Sequence, residues 1–328
     1  MALVDYYAIE EELQEDERLV RDNVRRFVEA KVMPIIARHY QDGTFPHDLV
    51  PQFADLGLLG ANLEGYGCAG MGDVAYGLAM QELERGDSGV RSFCSVQGAL
   101  CMYPIHAFGS EAQKERYLPP MAEGKIIGCF GLTEPDFGSN PTGMLTKAER
   151  LPGGGFRLNG TKRWITNGNL AHVAIIWAKL DGRVHGFLVP TETKGFTAQK
   201  IDDKWSLRAS VTSELILEDV EVDEDALLPG VSGMRGPLSC LSQARYGICW
   251  GAIGAAIGCY ETAVSYAKDR VQFSKPIAGY QLVQAKFAHM LTEITKAQCL
   301  TLRLGRLNHH TIGEQIPDQS IVTRVVGY

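Results

Sequence analysis

Apolar residues recur at helical spacing over the first third of the chain. From Glu10 to His39, Leu13, Leu19, Val20, Val24, Phe27, Val28 and Val32 follow the period of an amphipathic helix. Leu49–Leu59, Val74–Glu84, Ser88–Phe108 and Glu111–Glu123 continue the pattern. Pro104 should bend or end one of these helices, because it has no amide donor. After Ile127 the period changes from 3.6 to 2. Phe156–Leu158, Asn159-Gly160 and Lys162–Thr166 predict a strand, a type I′ turn and a strand. Val173–Leu180, Asp181-Gly182 and Val184–Val189 repeat the device, and Glu214–Val222 alternates once more. Helical periodicity returns at Pro237. Leu238–Arg270 and Gln281–Leu307 are long patterns separated by a hinge at Ser274–Gly279, and Pro317–Tyr328 starts a third helix. The expected architecture is α+β and multidomain. Residues 1–127 form an N-terminal helical domain, 128–236 a middle antiparallel β-barrel-like domain, and 237–328 an incomplete C-terminal helical bundle.

Composition agrees with a globular chain. Of 328 residues, 45% are hydrophobic and 22% charged, enough apolar content for a sizeable core. The net charge of −7 argues against nucleic acid as the default partner. None of the eight cysteines forms a C-x-x-C pair, so they read as buried reduced thiols. His309-His310 lacks the spaced partners of a metal site. Met1–Glu17 is acidic where a targeting peptide would be basic. The uncharged run Tyr246–Tyr260 falls short of the roughly 20 residues that span a bilayer, and its glycines and alanines suggest close helix packing. A bacterial cytoplasm or a mitochondrial matrix is the expected compartment.

Several segments are candidates for chemistry. Gly65-Tyr66-Gly67-Cys68-Ala69-Gly70 matches G-x-G-x-x-G but follows no strand, so it reads as a glycine-rich turn. Gly131–Ser139 offers hydroxyls and backbone amides to a polar planar ligand or to phosphates, or is a decorated turn. Trp164 beside Thr166 can flank an aromatic ligand and bond its edge, or simply fill a core. From Ser88 through Ser110, Arg91 is the sole Lys, Arg, Asp or Glu. A guanidinium in so apolar a helix needs a partner, either Glu84 or Asp87 nearby or a carboxylate held by its fork. Asp269–Phe273 can hold a phosphate or be a solvated helix end.

Taken together, these motifs resemble the acyl-CoA dehydrogenase family. The resemblance is carried by Phe130-Gly131-Leu132-Thr133-Glu134-Pro135 with Gly138-Ser139, by Gly160–Asn167, by Asp269–Phe273 and by Gln281–Gln284, and it covers essentially the whole chain. Glu82–Ser92 and Ala244–Ile248 are most similar to the glutaryl-CoA dehydrogenase branch. The resemblance implies non-covalent FAD, a homo-oligomer that is usually a tetramer, and an electron-transfer flavoprotein as acceptor. It implies flavin contacts from Phe130, Gly131, Leu132, Thr133, Glu134, Pro135, Gly138, Ser139, Trp164, Ile165 and Thr166. Arg270, Phe273 and Gln281 are implied at the phosphate and adenosine end, across a subunit boundary. Leu238, Ser239, Cys240, Leu241, Ser242, Gln243, Ala244 and Arg245 are implied to line the acyl-CoA site, with Ser139 near the CoA arm. Arg91 and Ser92 match residues that receive the distal carboxylate of glutaryl-CoA. The implied reaction is α,β-dehydrogenation with oxidative decarboxylation to crotonyl-CoA. A short-chain monocarboxylic acyl-CoA and a catalytically incompetent homologue are the alternatives.

One departure matters. The family's usual base is a Glu in a Tyr-Glu-Gly segment, which has no counterpart here and is expected beyond Tyr328. The position used by some relatives on the long helix is Ala244, and Tyr260-Glu261 is followed by Thr262 rather than Gly. The chain as written is therefore expected to lack normal turnover.

Overall fold

A computed structural model describes residues 5–311, with side chains through Asn308. The expected third helix at 317–328 and the His309-His310 side chains lie outside the described residues. In chain order the first helices are α1 (Glu15–Phe27), α2 (Met33–Asp42), α3 (Val50–Asp55), α4 (Asp73–Gly86), α5 (Ser88–Ser95), α6 (Tyr103–Phe108) and α7 (Glu111–Ala122). A π-helical turn, Val28–Val32, joins α1 to α2, so the predicted 10–39 pattern is one nearly continuous rod. A second π-helical stretch, Val96–Met102, ends where Pro104 enters α6. The wider turn suits a ring that would crowd the carbonyl four residues back.

The strands are β1 (Gly128–Gly131), β2 (Lys147–Arg150), β3 (Phe156–Thr166), β4 (Val173–Leu180), β5 (Arg183–Pro190), β6 (Phe196–Lys200) and β7 (Thr212–Val222). Among the described residues they form one sheet in the order β1-β4-β2-β3-β7-β6, with β5 also on β4. Asp181-Gly182 makes the predicted hairpin between β4 and β5, both residues taking positive φ. Two expectations need correction. The sheet is mixed, since β1 and β2 pair with β4 in parallel. Asn159-Gly160 is not a hairpin turn but lies inside the unbroken β3, at a shift in its register with β7. Asn159 reaches across to Asp219, donating to its carboxylate at 3.0 Å and accepting its amide at 2.8 Å. Gly160 is needed because a Cβ would lie 2.7 Å from Thr146 Cα.

Two long helices follow, α8 (Arg235–Asp269) and α9 (Gln281–Thr311). The expected hinge between them is instead a small hairpin, β8 (Val271–Gln272) and β9 (Lys275–Pro276), turning at Phe273 and Ser274 with positive φ. By length and composition α8 could cross a membrane.

By internal contacts the fold divides into two compact units. One comprises Met1–Pro34, Gly72–Ser88 and Tyr246–Tyr328, and the other Ile35–Met71 and Gly89–Arg245. In the first unit the small residues of α8 meet α4: Gly77 leaves room for the Trp250 ring, and a Cβ at Gly258 would lie 2.9 Å from Arg85 O. Glu82 is fully buried and takes both Arg25 (2.9 and 2.9 Å) and Arg85 (2.9 Å). Arg85 also pairs with Glu29 at 2.9 Å and Glu261 at 3.2 Å, so the buried charges compensate one another. In the second unit one apolar cluster joins Met102, Ile105 and Leu118 to Ile175, Trp177 and Cys240, and another fills the sheet's other face around Phe156, Ile176, Phe187 and Leu215. The buried Gln97 side chain donates to Met121 O and Ile126 O and accepts from Gly128 N, fixing the start of β1 against the π-helical stretch.

All eight cysteines are free thiols. Cys94, Cys101, Cys129 and Cys240 are buried as expected, but Cys68 and Cys249 are half-buried and Cys259 and Cys299 are exposed. The exposed pair sits on the outer faces of α8 and α9, where burial gives no reason for a thiol.

Candidate functional site

The loop after β1 is held at its neck. Phe130, Gly131 and Leu132 are buried, Thr133 is half-buried, and Pro135, Gly138 and Ser139 are exposed. Glu134 turns inward. Its carboxylate accepts from Leu145 N (2.6 Å), Thr146 N (3.0 Å), Thr146 Oγ1 (2.5 Å) and Lys162 Nζ (2.9 Å). These donors hold Glu134 below the ordinary carboxylate range despite its burial. Burial brings Lys162 down to about 8, against the pull of Glu134. The Glu134 side chain is thus committed inside the protein, and only its backbone is left for a ligand. Phe137 covers Gly143, where a side chain would collide with its ring.

The same strand presents the aromatic candidate. Arg163 N donates to Thr133 O at 2.9 Å, so the loop lies directly on β3. The β3–β7 register shifts between Lys162 and Ile165, and Trp164 takes a φ of 62°. That irregularity turns the indole outward. Ile165 is buried, Thr166 is half-buried, and Trp164 is 55% exposed with the Arg163 guanidinium 5.4 Å from its ring centre. One residue past the strand, the buried Asn167 also has positive φ, and its Nδ2 has no hydrogen-bond partner among the described residues. Such a donor is costly to leave unmet.

The first turns of α8 contribute a second surface of this unit. Leu238 and Arg245 are exposed, Ser239, Cys240 and Ala244 are buried, and Leu241, Ser242 and Gln243 are half-buried. Ser239 Oγ donates to Gly236 O at 2.7 Å and Ser242 Oγ to Leu238 O at 3.1 Å. Burial raises the Tyr103 phenol, against the opposing influence of Ser239 and Gln243 beside it. Tyr103 thus lies next to the predicted 238–245 segment, and a tyrosine before a proline carries no sequence signal beyond helix geometry.

Arg91 and Ser92 are half-buried on α5. Arg91 has an interaction within the protein. Its field opposes the burial that raises the Cys94 thiol, and burial wins.

Arg270, Phe273 and Gln281 belong to the other unit and are exposed. Ile277 N donates to Arg270 O at 2.9 Å, which closes the base of the β8–β9 hairpin and puts Phe273 at its tip, 92% exposed. Glu261 is held by Arg85, and Ala244 carries no carboxylate.

Comparisons with known proteins place the chain in a family. The family model described as "Acyl-CoA dehydrogenase, N-terminal domain" matches residues 14–125, the middle-domain model 129–220 and the C-terminal-domain model 232–325. Two structures of a glutaryl-CoA dehydrogenase from Mycobacterium smegmatis, one in complex with FADH2, are 51% and 54% identical. Each aligns over 94% of this chain and 80% of its own, with TM-scores of 0.92 and 0.91. A chain from a structure described as the electron transferring flavoprotein of Acidaminococcus fermentans is 33% identical over 94% of this chain and 81% of its own, with a TM-score of 0.86. The short-chain specific acyl-CoA dehydrogenase of Bos taurus mitochondria is 36% identical over 90% of this chain and 73% of its own length. Family models over all three parts of the chain, and close relatives along most of its length, converge with the loop-and-strand geometry on one conclusion: the chain belongs to the acyl-CoA dehydrogenase family.

Proposed function

We propose that the reaction served is oxidation of glutaryl-CoA at Cα and Cβ, the β-hydride going to FAD and the α-proton to a carboxylate base that the described residues do not supply, with the distal carboxylate then leaving as CO2 to give crotonyl-CoA. The observation that supports the substrate is the likeness to the Mycobacterium smegmatis glutaryl-CoA dehydrogenase structures, at 51% and 54% identity; a butyryl-CoA dehydrogenase structure stands at 33% and another glutaryl-CoA dehydrogenase structure at 30%.

FAD is the cofactor of this family, and the residues present suit it. An exposed indole with the half-buried Thr133 and Thr166 beside it offers a stacking face and polar edge contacts to a flat heteroaromatic ring. When bound, FAD would accept the β-hydride. The chain's own residues bind and orient. Thr133, Trp164 and Thr166 are read as ring contacts, and Ser139 and residues 238–245 as the acyl-CoA surface. Arg91 with Ser92 is read as the receptor for the distal carboxylate, a task that suits a planar guanidinium fork. Arg270, Phe273 and Gln281 are read as the adenosine end of the cofactor site, completed by another copy of the chain in a homotetramer. The exposure of Phe273 and Leu282 supports that assembly. An electron-transfer flavoprotein is read as the acceptor.

A short-chain monocarboxylic acyl-CoA is the second reading. It is favoured by the bovine relative and by the partner that Arg91 already has in the protein. Arg91→Gln separates the two. A charge-assisted hydrogen bond contributes about 1.5–3 kcal/mol, roughly 10- to 150-fold in affinity. On the glutaryl reading that loss is confined to glutaryl-CoA. An equal loss on butyryl-CoA rejects it.

A further inference from the structure

We propose that Lys162 and Glu134 are a buried positioning pair for the flavin, fixing the backbone of Leu132–Glu134 to the strand that carries Trp164. The inference rests on the reading that Thr133 and Trp164 contact the ring.

Three successive loop residues are tied to two successive strand residues. Lys162 Nζ donates to Leu132 O at 3.1 Å and to Glu134 Oε1 at 2.9 Å, and Arg163 N takes Thr133 O between them. Glu134 then gathers Leu145 N, Thr146 N and Thr146 Oγ1, so one carboxylate closes the neck of the whole 134–146 excursion. Thr133 and the exposed Pro135–Ser139 hang from that neck. The lysine stem passes Gly131, where an added Cβ would lie 3.3 Å from Lys162 Cγ and 2.6 Å from Ile176 Cδ1. Glycine at 131 thus makes room for the lysine to cross.

Stability alone does not call for such a pair. Both side chains are essentially inaccessible, and apolar residues of similar volume are often as stable in such places. What apolar residues cannot do is hold the Leu132 carbonyl and the 145–146 amides at fixed points. A slack neck would let Thr133 drift relative to Trp164, and small misplacements of supporting residues degrade a site steeply.

The test compares the full chain as wild type, as Lys162→Met/Glu134→Gln and as Trp164→Ala. The readouts are thermal unfolding without FAD, the FAD Kd from flavin fluorescence, and the visible circular dichroism of flavin at saturation. The double variant should fold with a lowered Tm, since the Leu132 carbonyl loses its donor and the introduced amide meets backbone N–H groups. Its Kd should rise about 10- to 100-fold, the loss typical when a supporting partner is removed, and its flavin dichroism should change. Wild-type Kd and dichroism in the double variant, with Kd raised in Trp164→Ala, would overturn the positioning role and leave the flavin reading standing. Unchanged Kd in Trp164→Ala as well would overturn both. A double variant that does not fold would make the pair a stability element and overturn the proposal.

Discussion

Gly254→Ala tests a backbone contact between α8 and α4. Gly254 lies on α8 against the backbone of α4. An added methyl would overlap Gln81 O and stand 2.8 Å from Gln81 C and 3.1 Å from Arg85 N. Ordinary carbon contacts are about 3.5–4.0 Å, so the helices must part by roughly 1 Å. No rotamer change relieves this, because the atoms struck are main chain. Overpacking a core costs about 1–3 kcal/mol, and a backbone clash belongs at the upper end. Alanine recovers up to about 1 kcal/mol of helix propensity. The net expectation is about 2 kcal/mol of destabilisation, or roughly 3 °C in Tm for a chain of this length. Thermal unfolding followed by far-ultraviolet circular dichroism measures it, with the exposed Ala252→Gly as a control that loses about 1 kcal/mol through propensity alone. A Gly254→Ala protein that melts above wild type would show that α4 and α8 are not in backbone contact there.

Two further expectations concern the second unit. Burial raises the Cys129 and Cys240 thiols to about 12 and also raises Cys101. A folded-state pKa above the unfolded value gives stability that is complete below pH 9 and lost as pH rises from 9 to 12. Cys129→Ala should flatten that alkaline fall in Tm, and an unchanged slope would contradict the burial. Lys162 has the opposite sign, adding stability between about pH 8 and 10.5, so the comparison is made in one lysine background. Gly160→Ala should push Thr146 away from Glu134, cost about 1–3 kcal/mol and weaken FAD binding together with the neck. Wild-type Tm and FAD affinity in that variant would refute the close approach.

Local patterns in the sequence translated well. Periodicity located the long helices, and Asp181-Gly182 marked a true hairpin, both residues turning at positive φ between β4 and β5. Asn159-Gly160 carries the same signal with another cause. Asn159 bonds across the sheet to Asp219, and Gly160 is there for the approach of Thr146. The parallel pairing of β1 with β4 was hidden because it joins segments distant in the chain. The α8 glycines announced close packing but not the identity of α4 as the partner. At the candidate site, the loop and Trp164 were legible as motifs. Lys162 was not, since one lysine in an alternating strand looks like a solvent-facing residue until the fold buries it. Glu134 was legible as part of the motif, but its inward turn was not.

The most direct test is an anaerobic titration of the flavin-loaded protein with glutaryl-CoA and, separately, butyryl-CoA, following the visible band of oxidised flavin. The account predicts that the protein holds FAD and that glutaryl-CoA shifts the band without bleaching it, at concentrations at least about tenfold lower than butyryl-CoA, a difference of about 1.4 kcal/mol. A protein that takes up no FAD, or a band that answers to butyryl-CoA as readily as to glutaryl-CoA, would contradict it.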